Sequence, residues 1–461
     1  MKNTTKSSKY ILNFSIPKSY HKCTNCKFLE FYFNNGRPKE FIKYENELKT
    51  LVYELMFEMS FEELLSVIPN YYQFCYTVSI EDDSLLNQSK ISEHLLVPFS
   101  KMLKKTLNQL KFKPLFYDVF EDRYVIICRH AVTTGMYAPG PAIYSIITGL
   151  LDLGKTIILA TLGNVDQQFI KLQKNNSRLT ILKKDDVSTS FLQLINLRKI
   201  CQNFRPTKII TEMPVNIGVA LYYSKITSKV LYWSPGFTHV PWFDKVLLVP
   251  ELINKNLLKT NKFVEVPRSL NFELINPNVN YKLVKSFKQE NLILESDFVM
   301  GTFARYELIS ETFLELVFNL LKINKNRKII IAGTNDNSKA KKKLKKFIDN
   351  KQAIILGFSD VHILGNCCDV FLDTIPYPCG FSAIEVMAKG KPVLSINQPN
   401  LRNYKKSRVN KLIFENKDDL NGCLIKLENN SKFYNEMSEK SIKIAKDYDN
   451  SLKLAESIAS L

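Results

Sequence analysis

Two kinds of apolar spacing alternate along most of this chain. From residue 121 onward, short runs rich in Val, Ile and Leu recur: YVIICRH (124–130), KTIILATLG (155–163), RLTILKK (178–184), TKIITEMP (207–214), KVLYWSPG (229–236) and DKVLLVPE (244–251). Each reads as a buried strand. Between them lie segments with apolar residues at helical spacing, such as SFLQLINLRKICQNF (190–204) and VNIGVALYYSKI (215–226). The segment PAIYSIITGLLDLG (141–154) places Pro141 at a first helical position and stops at Gly154, which predicts a helix with a left-handed end. Strands without in–out alternation, joined by helices, predict a parallel sheet covered on both faces.

A second block of the same kind begins near residue 297. Its strands are DFVMGTFAR (297–305), RKIIIAGTN (327–335), AIILGFSD (353–360), CDVFLDTIP (368–376) and KPVLSI (391–396), with helices between them and a helical tail over 416–461 that is able to cross back over the first block. The polar stretch 261–296, around Pro267 and Pro277, reads as the end of one domain and the connection to the next. Residues 1–120 read mainly as helix and loop, with apolar faces in 45–68 and 94–110. The predicted organisation is therefore a helical region over 1–120, a first α/β lobe over 121–290 and a second over 291–461.

Composition narrows the class. The chain has 461 residues, too many for one ordinary core at ~100–200 residues per domain. Its 45% hydrophobic and 24% charged content is that of a globular protein. There is neither a leader-like apolar stretch nor an apolar run near ~20 residues, so the expected location is cytoplasmic. A formal charge of +19 attracts polyanions, although a Lys- and Asn-rich composition produces the same excess without any partner. Peripheral contact with an anionic membrane face stays open; a nucleic-acid partner is not expected. The run KAKKKLKKFIDNK (339–351) carries Leu344, Phe347 and Ile348 at helical spacing, so it reads as a solvated helix face. Among nine cysteines only Cys23 and Cys26 form a CxxC. With no second pair evident, scattered small apolar residues in a reducing compartment are the reading.

The stretch with most chemical content is DVFLDTIPYPCGFSAIEVMAKGKPVL (369–394). It predicts a strand ending at Asp373, a loop stiffened by prolines, Gly380 where something must approach closely, and a helix starting near Phe381 and Ser382. The free N–H groups and dipole of such a helix form an anion site suited to a diphosphate. Glu385, one turn further in, is placed to accept two hydrogen bonds from a ribose diol.

These residues resemble the donor-binding motif of GT-B glycosyltransferases. They are similar to the protein O-GlcNAc transferase and adhesin-glycosyltransferase group (family 41-like) and to the GF…E…MAxGxPV element of family 4. The match runs through Asp373, Thr374, Pro376, Tyr377, Gly380, Gly390, Pro392 and Val393. Ser382 stands for a phosphate-binding Thr and Glu385 for the ribose carboxylate, while Cys379 and Phe381 depart from the pattern. The segment 299–333 resembles the first strand and helix of the same domain, with Thr302 on the strand and Arg305 as the phosphate-neutralising residue. Leu308 stands where the family often has a Lys. The resemblance implies two facing Rossmann-like lobes with an extra N-terminal helical region. It also implies a sugar transferred, with inversion, from a nucleoside-diphosphate sugar of UDP type to a protein, glycan or lipid acceptor. Arg305, Thr302, Asp373, Tyr377, Gly380, Phe381, Ser382 and Glu385 would hold the donor.

Three residues at strand ends of the first block are candidate bases. His130 opens the loop CRHAVTTGMYAPGPA, His239 lies in YWSPGFTHVPW, and Glu212 closes ITEMP. An imidazole near neutral pKa suits deprotonation of an acceptor hydroxyl. Tyr137, Trp233 and Trp242 serve either sugar stacking or the core. No DxD-like carboxylate pair follows a strand in the second block, so neither a metal nor another cofactor is expected. A nucleotide-sugar epimerase of the same fold and a basic non-catalytic scaffold remain the alternatives.

Overall fold

The structure, a computed structural model, describes residues 61, 62, 65, 101–133, 139–183, 190–212, 216–234, 243–249, 262–333, 337–375, 379–396 and 412–461. Most of the N-terminal helical region, with Cys23 and Cys26, lies outside these residues. Residues 101–109 are helical. The chain divides into two compact units, one of residues 1–132, 147–266 and 455–461, the other of 133–146 and 267–454.

The first unit is built on seven parallel strands: β1 (Phe120–Cys128), β2 (Thr156–Thr161), β3 (Leu179–Lys183), β4 (Pro206–Glu212), β5 (Lys229–Ser234), β6 (Lys245–Leu248) and β7 (Phe263–Glu265). Helices α1 (Pro139–Asp152), α2 (Gln167–Lys174), α3 (Ser190–Phe204) and α4 (Asn216–Tyr223) follow successive strands. The sheet order is β3-β2-β1-β4-β5-β6-β7. Val125, Ile126 and Ile127 of β1 are all buried, as a central strand covered on both faces requires. Gly154 ends the α1 segment at φ +79°. Glu62 caps α3, its carboxylate accepting from the N–H groups of Ser190 (3.1 Å) and Phe191 (2.9 Å).

The second unit has six parallel strands, β8 (Phe298–Phe303), β9 (Arg327–Ala332), β10 (Ala353–Leu356), β11 (Val370–Leu372), β12 (Val393–Ile396) and β13 (Leu412–Phe414), in the order β10-β9-β8-β11-β12-β13. Its helices are α5 (Phe272–Ile275), α6 (Tyr281–Glu290), α7 (Glu311–Ile323), α8 (Ser338–Lys343), α9 (Lys345–Asp349), α10 (Val361–Cys367), α11 (Phe381–Ala388), α12 (Lys417–Asn429), α13 (Ser431–Lys446) and α14 (Ser451–Ala459). Helix α7 starts at Ser310, whose hydroxyl accepts from Phe313 N at 3.1 Å. It buries Phe313, Leu314, Leu316, Val317, Leu320 and Leu321, an apolar stripe at helical spacing. The basic run forms α8 and α9. There Leu344 and Phe347 are buried while Lys339, Lys341, Lys342, Lys345 and Lys346 face solvent, as expected for a solvated face.

Both sheets are doubly wound, and each has one place where the strand order reverses, between β1 and β4 and between β8 and β11. Ligands of such sheets bind at the carboxyl ends of the strands beside that reversal. The stretch 261–296, expected as a connector, contains β7, α5 and α6. The end of α14 belongs to the first unit, where Lys208 and Lys229 donate to the carbonyls of Ala459 and Leu461. Among the described residues no helix is long and apolar enough to cross a membrane.

Candidate functional site

In the second unit the loops after β8 and β11 emerge side by side, because Met300 pairs with Val370 and Gly301 with Phe371. The β11 loop is shaped by Asp373. Its carboxylate is buried, and one oxygen accepts from Thr374 N (3.0 Å) and Cys379 N (2.6 Å), closing the loop on itself. Ser310 donates to Ile375 O, which ties the same loop to the start of α7. Gly380 then takes φ +60° and ψ −109°, a region closed to residues with a side chain. Among the described residues nothing lies within 4 Å of a Cβ built on it.

Helix α11 begins without a side-chain cap. No side chain of its N-cap residue competes for the first N–H groups, which lie at the dipole's positive end, where anions are favoured. Ala383, Ile384, Val386, Met387 and Ala388 are buried, which fixes the helix. Phe381, Ser382, Glu385 and Lys389 are half-buried on the remaining face, as spacings of three and four residues dictate. The turn after α11 closes at Gly390 (φ +74°), where a Cβ would lie 2.6 Å from Ser438 Oγ on α13. Burial holds the Glu385 carboxyl well above the ordinary carboxylate range, against the opposing charge of Lys389. Among the described residues none donates a hydrogen bond to that carboxylate.

Arg305 follows β8 at the same sheet edge and is half-buried. Its backbone is locked by the next residue, since the buried Tyr306 donates its hydroxyl hydrogen to Leu356 O at 2.7 Å. A second cation was missed by sequence reasoning. The Arg268 guanidinium lies over the Phe381 ring, 5.3 Å from its centroid, at the first residue of α11. Phe381 departs from the motif, and that departure was the available signal: an aromatic face at this point offers a seat for a cation.

Two of the expected donor contacts need correction. Thr302 is fully buried and donates to Leu372 O at 2.8 Å, so it braces β8 against β11 beneath the site. Asp373 is 2% exposed and shapes the loop from within. Gly380, Phe381, Ser382 and Glu385 are brought together on α11, with Arg305 at the neighbouring strand end. Tyr377 lies outside the described residues.

In the first unit His130 and Glu212 emerge from the adjacent strands β1 and β4. Glu212 is 2% exposed and its Oε2 accepts from Arg129 N at 3.0 Å, which pins the two strand ends together. A carboxylate so enclosed is not placed to take an acceptor's proton, which corrects its reading as a base. The His130 ring rests on Gly163, where a Cβ would come within 2.3 Å of Nδ1. Its Nδ1 accepts from Asn164 N at 3.2 Å. Burial, first, and the Arg129 charge lower its pKa, which favours the neutral ring at neutral pH. Trp233 is buried in β5 and serves the core. His239, Tyr137 and Trp242 lie outside the described residues.

Residues 290–444 match the family of glycosyl transferases group 1. No protein with a curated description matches the chain by sequence. Among solved structures, a glycosyltransferase from Rickettsia africae ESF-5 is similar at a TM-score of 0.56 and 14% identity, covering 74% of this chain and 97% of that one. HepE of Anabaena in complex with UDP and glucose is similar at 0.52 and 14%, covering 73% and 98%. A mutant O-GlcNAc transferase of Thermobaculum terrenum is similar at 0.55 and 12%, covering 89% and 83%. The chain thus has the GT-B fold class of paired Rossmann-like units, and its residues 290–444 carry a domain similar to the glycosyl transferases of group 1, which supports a glycosyltransferase.

Proposed function

We propose that the protein transfers a sugar from a UDP-sugar to a hydroxyl or amide of a protein, glycan or lipid acceptor, with inversion and without a metal. The observation that carries this reading is the uncapped start of α11 behind Gly380, at the point where the second sheet reverses its strand order. In the reaction the acceptor atom attacks the anomeric carbon. The bond from that carbon to the diphosphate oxygen breaks, and the electron pair leaves on the diphosphate. The N–H groups at the tip of α11, Ser382, Arg305 and Arg268 stabilise the charge that develops there. Glu385 accepts the ribose hydroxyls. The acceptor proton goes to a general base of the protein.

Thermal-shift measurements with UDP, GDP, ADP and TDP test the donor site. UDP is expected to raise the melting temperature of the parent protein, with EDTA making no difference, because ligand bound only to the folded state stabilises it. If none of the four nucleotides does so, the reading is wrong. Consumption of a UDP-sugar with no acceptor and no release of UDP would indicate an epimerase instead.

Arg268→Ala separates the diphosphate contact from the nucleoside. Loss of one charge-assisted hydrogen bond is worth ~1.5 kcal/mol or more, so UDP affinity should fall roughly tenfold. Uridine affinity should not change. Equal losses for both ligands would place Arg268 elsewhere.

A further inference from the structure

The side chain of Lys389, at the end of α11, turns inward. Its Nζ donates to Glu385 O at 2.9 Å and to Ile275 O of α5 at 2.9 Å, and lies 3.1 Å from Nδ1 of His362 on α10. All three ammonium hydrogens are therefore used. The stem crosses α10 at Gly365, where a Cβ would come within 2.9 Å of Lys389 Cδ. A lysine held by three partners, with a glycine making room for its stem, is a built feature. It also shares the exposed stripe of α11 with Glu385, one turn away.

We propose that Lys389 is a positioning residue for the ribose contact, holding the Glu385 turn of α11 against α5 and α10 and keeping a positive charge beside the Glu385 carboxylate. The inference rests on the reading that Glu385 binds ribose. The carboxylate accepts both hydroxyls of a diol only when ionised, and burial opposes ionisation. The groups acting on it electrostatically are Lys389, which favours the charged form, and Asp360, which opposes it. His362 takes no part at neutral pH. It is buried, and burial together with the Lys389 charge lowers its pKa to about 4. Asp360 accepts from His362 N at 2.8 Å and caps α10. Helix α13 meets the turn after α11 through Ser438 and Ile442 at Gly390, both uncharged. The α5 contribution is the Ile275 carbonyl. Lys389 is thus the one cation acting on Glu385 among the described residues.

Removing that cation leaves burial to act on Glu385 against no opposing charge. Lys389 Nζ lies 2.9 Å from the Glu385 carbonyl, one helical turn from its own backbone, and an opposite charge a few ångströms from a carboxyl lowers its pKa by about one unit or more. The pH at which UDP binding fades is therefore expected to move up by about one unit in Lys389→Met. Burial lowers the Lys389 pKa to about 8, so the cation acts on Glu385 below that pH: at about pH 6.5 this variant should bind UDP roughly tenfold more weakly than the parent, and at about pH 8.5, where the parent's lysine is itself mostly neutral, within about threefold. Lys389→Arg, which keeps the charge, should return the midpoint towards the parent's.

Calorimetric titration with UDP between about pH 5.5 and about pH 8.5 reads these outcomes, with Glu385→Ala alongside. A pH-independent loss in Lys389→Met, or no loss, overturns the inference. Undiminished binding in Glu385→Ala overturns instead the reading beneath it. If Lys389→Met does not fold, Gly365→Ala displaces the stem while retaining the charge. It should move the midpoint in the same direction by a smaller amount, and an unmoved midpoint would count against Lys389.

Discussion

Glu385→Ala should weaken UDP binding by roughly a hundredfold while leaving the fold intact. Hydrogen bonds to a charged group contribute ~1.5–3 kcal/mol each. Two of them to a ribose diol place the combined loss near ~3 kcal/mol, about two decades in affinity. The fold gains little from this carboxylate. Its pKa is raised on folding, so the folded state holds its proton more tightly than the unfolded chain does. Its contribution to stability is therefore present at acid pH and lost as pH rises through the interval between the unfolded and folded pKa values. Deleting it at neutral pH removes that penalty but also takes the counter-charge from Lys389, and the two changes oppose. The melting temperature without nucleotide should stay close to the parent's while the UDP-induced rise disappears. A UDP response in the variant equal to the parent's would remove Glu385 from the site.

Glu428→Ala, by contrast, should act on stability alone. Arg327 at the start of β9 is 1% exposed, and its guanidinium meets Glu428 through two bonds, Nε–Oε1 at 2.5 Å and Nη2–Oε2 at 2.9 Å. Asn421 Oδ1 accepts from Nη1 at 2.8 Å and Leu320 O from the same nitrogen at 3.3 Å. The pair joins β9 to α12 inside the second unit. Taking away the carboxylate leaves a guanidinium in the interior without its counter-charge, a change that costs ~3–5 kcal/mol in buried pairs. Urea denaturation should show a midpoint lowered accordingly with an unchanged slope. Replacing both partners, as in Arg327→Met with Glu428→Leu, should recover much of the loss, since an apolar pair needs no counter-charge. A stability within ~0.5 kcal/mol of the parent's in Glu428→Ala would mean that water reaches Arg327.

How much of this was legible beforehand differs from element to element. Long β-branched runs such as Tyr124–Cys128 and Arg327–Ala332, and stripes such as Phe313 to Leu321, announce themselves, because burial on two faces or on one stripe leaves a periodic record in the chain. The edge strands β7 and β13, three residues each, are too short to carry a period. Helix α6 was read as connector because its sequence, YKLVKSFKQE, buries only Val284 fully. The loop and helix around Gly380 were legible because a strand end, a proline-stiffened loop, a glycine, a helix start and a carboxylate one turn later all fall within a few consecutive residues.

By itself, then, the order of residues determined two doubly wound parallel sheets and the local geometry of the nucleotide-binding candidate, since both depend on spacing along the chain. Tertiary structure alone decided which charges meet. It brought Arg268 to Phe381, Lys389 to His362 and Ile275, and Arg327 to Glu428, and it enclosed Thr302 and Asp373, expected as donor contacts, and Glu212, expected as a candidate base. The physical reason is that periodicity reports which face of an element is buried, whereas the partner of a buried polar group is set by how distant elements pack, and one sequence contains no distances between them.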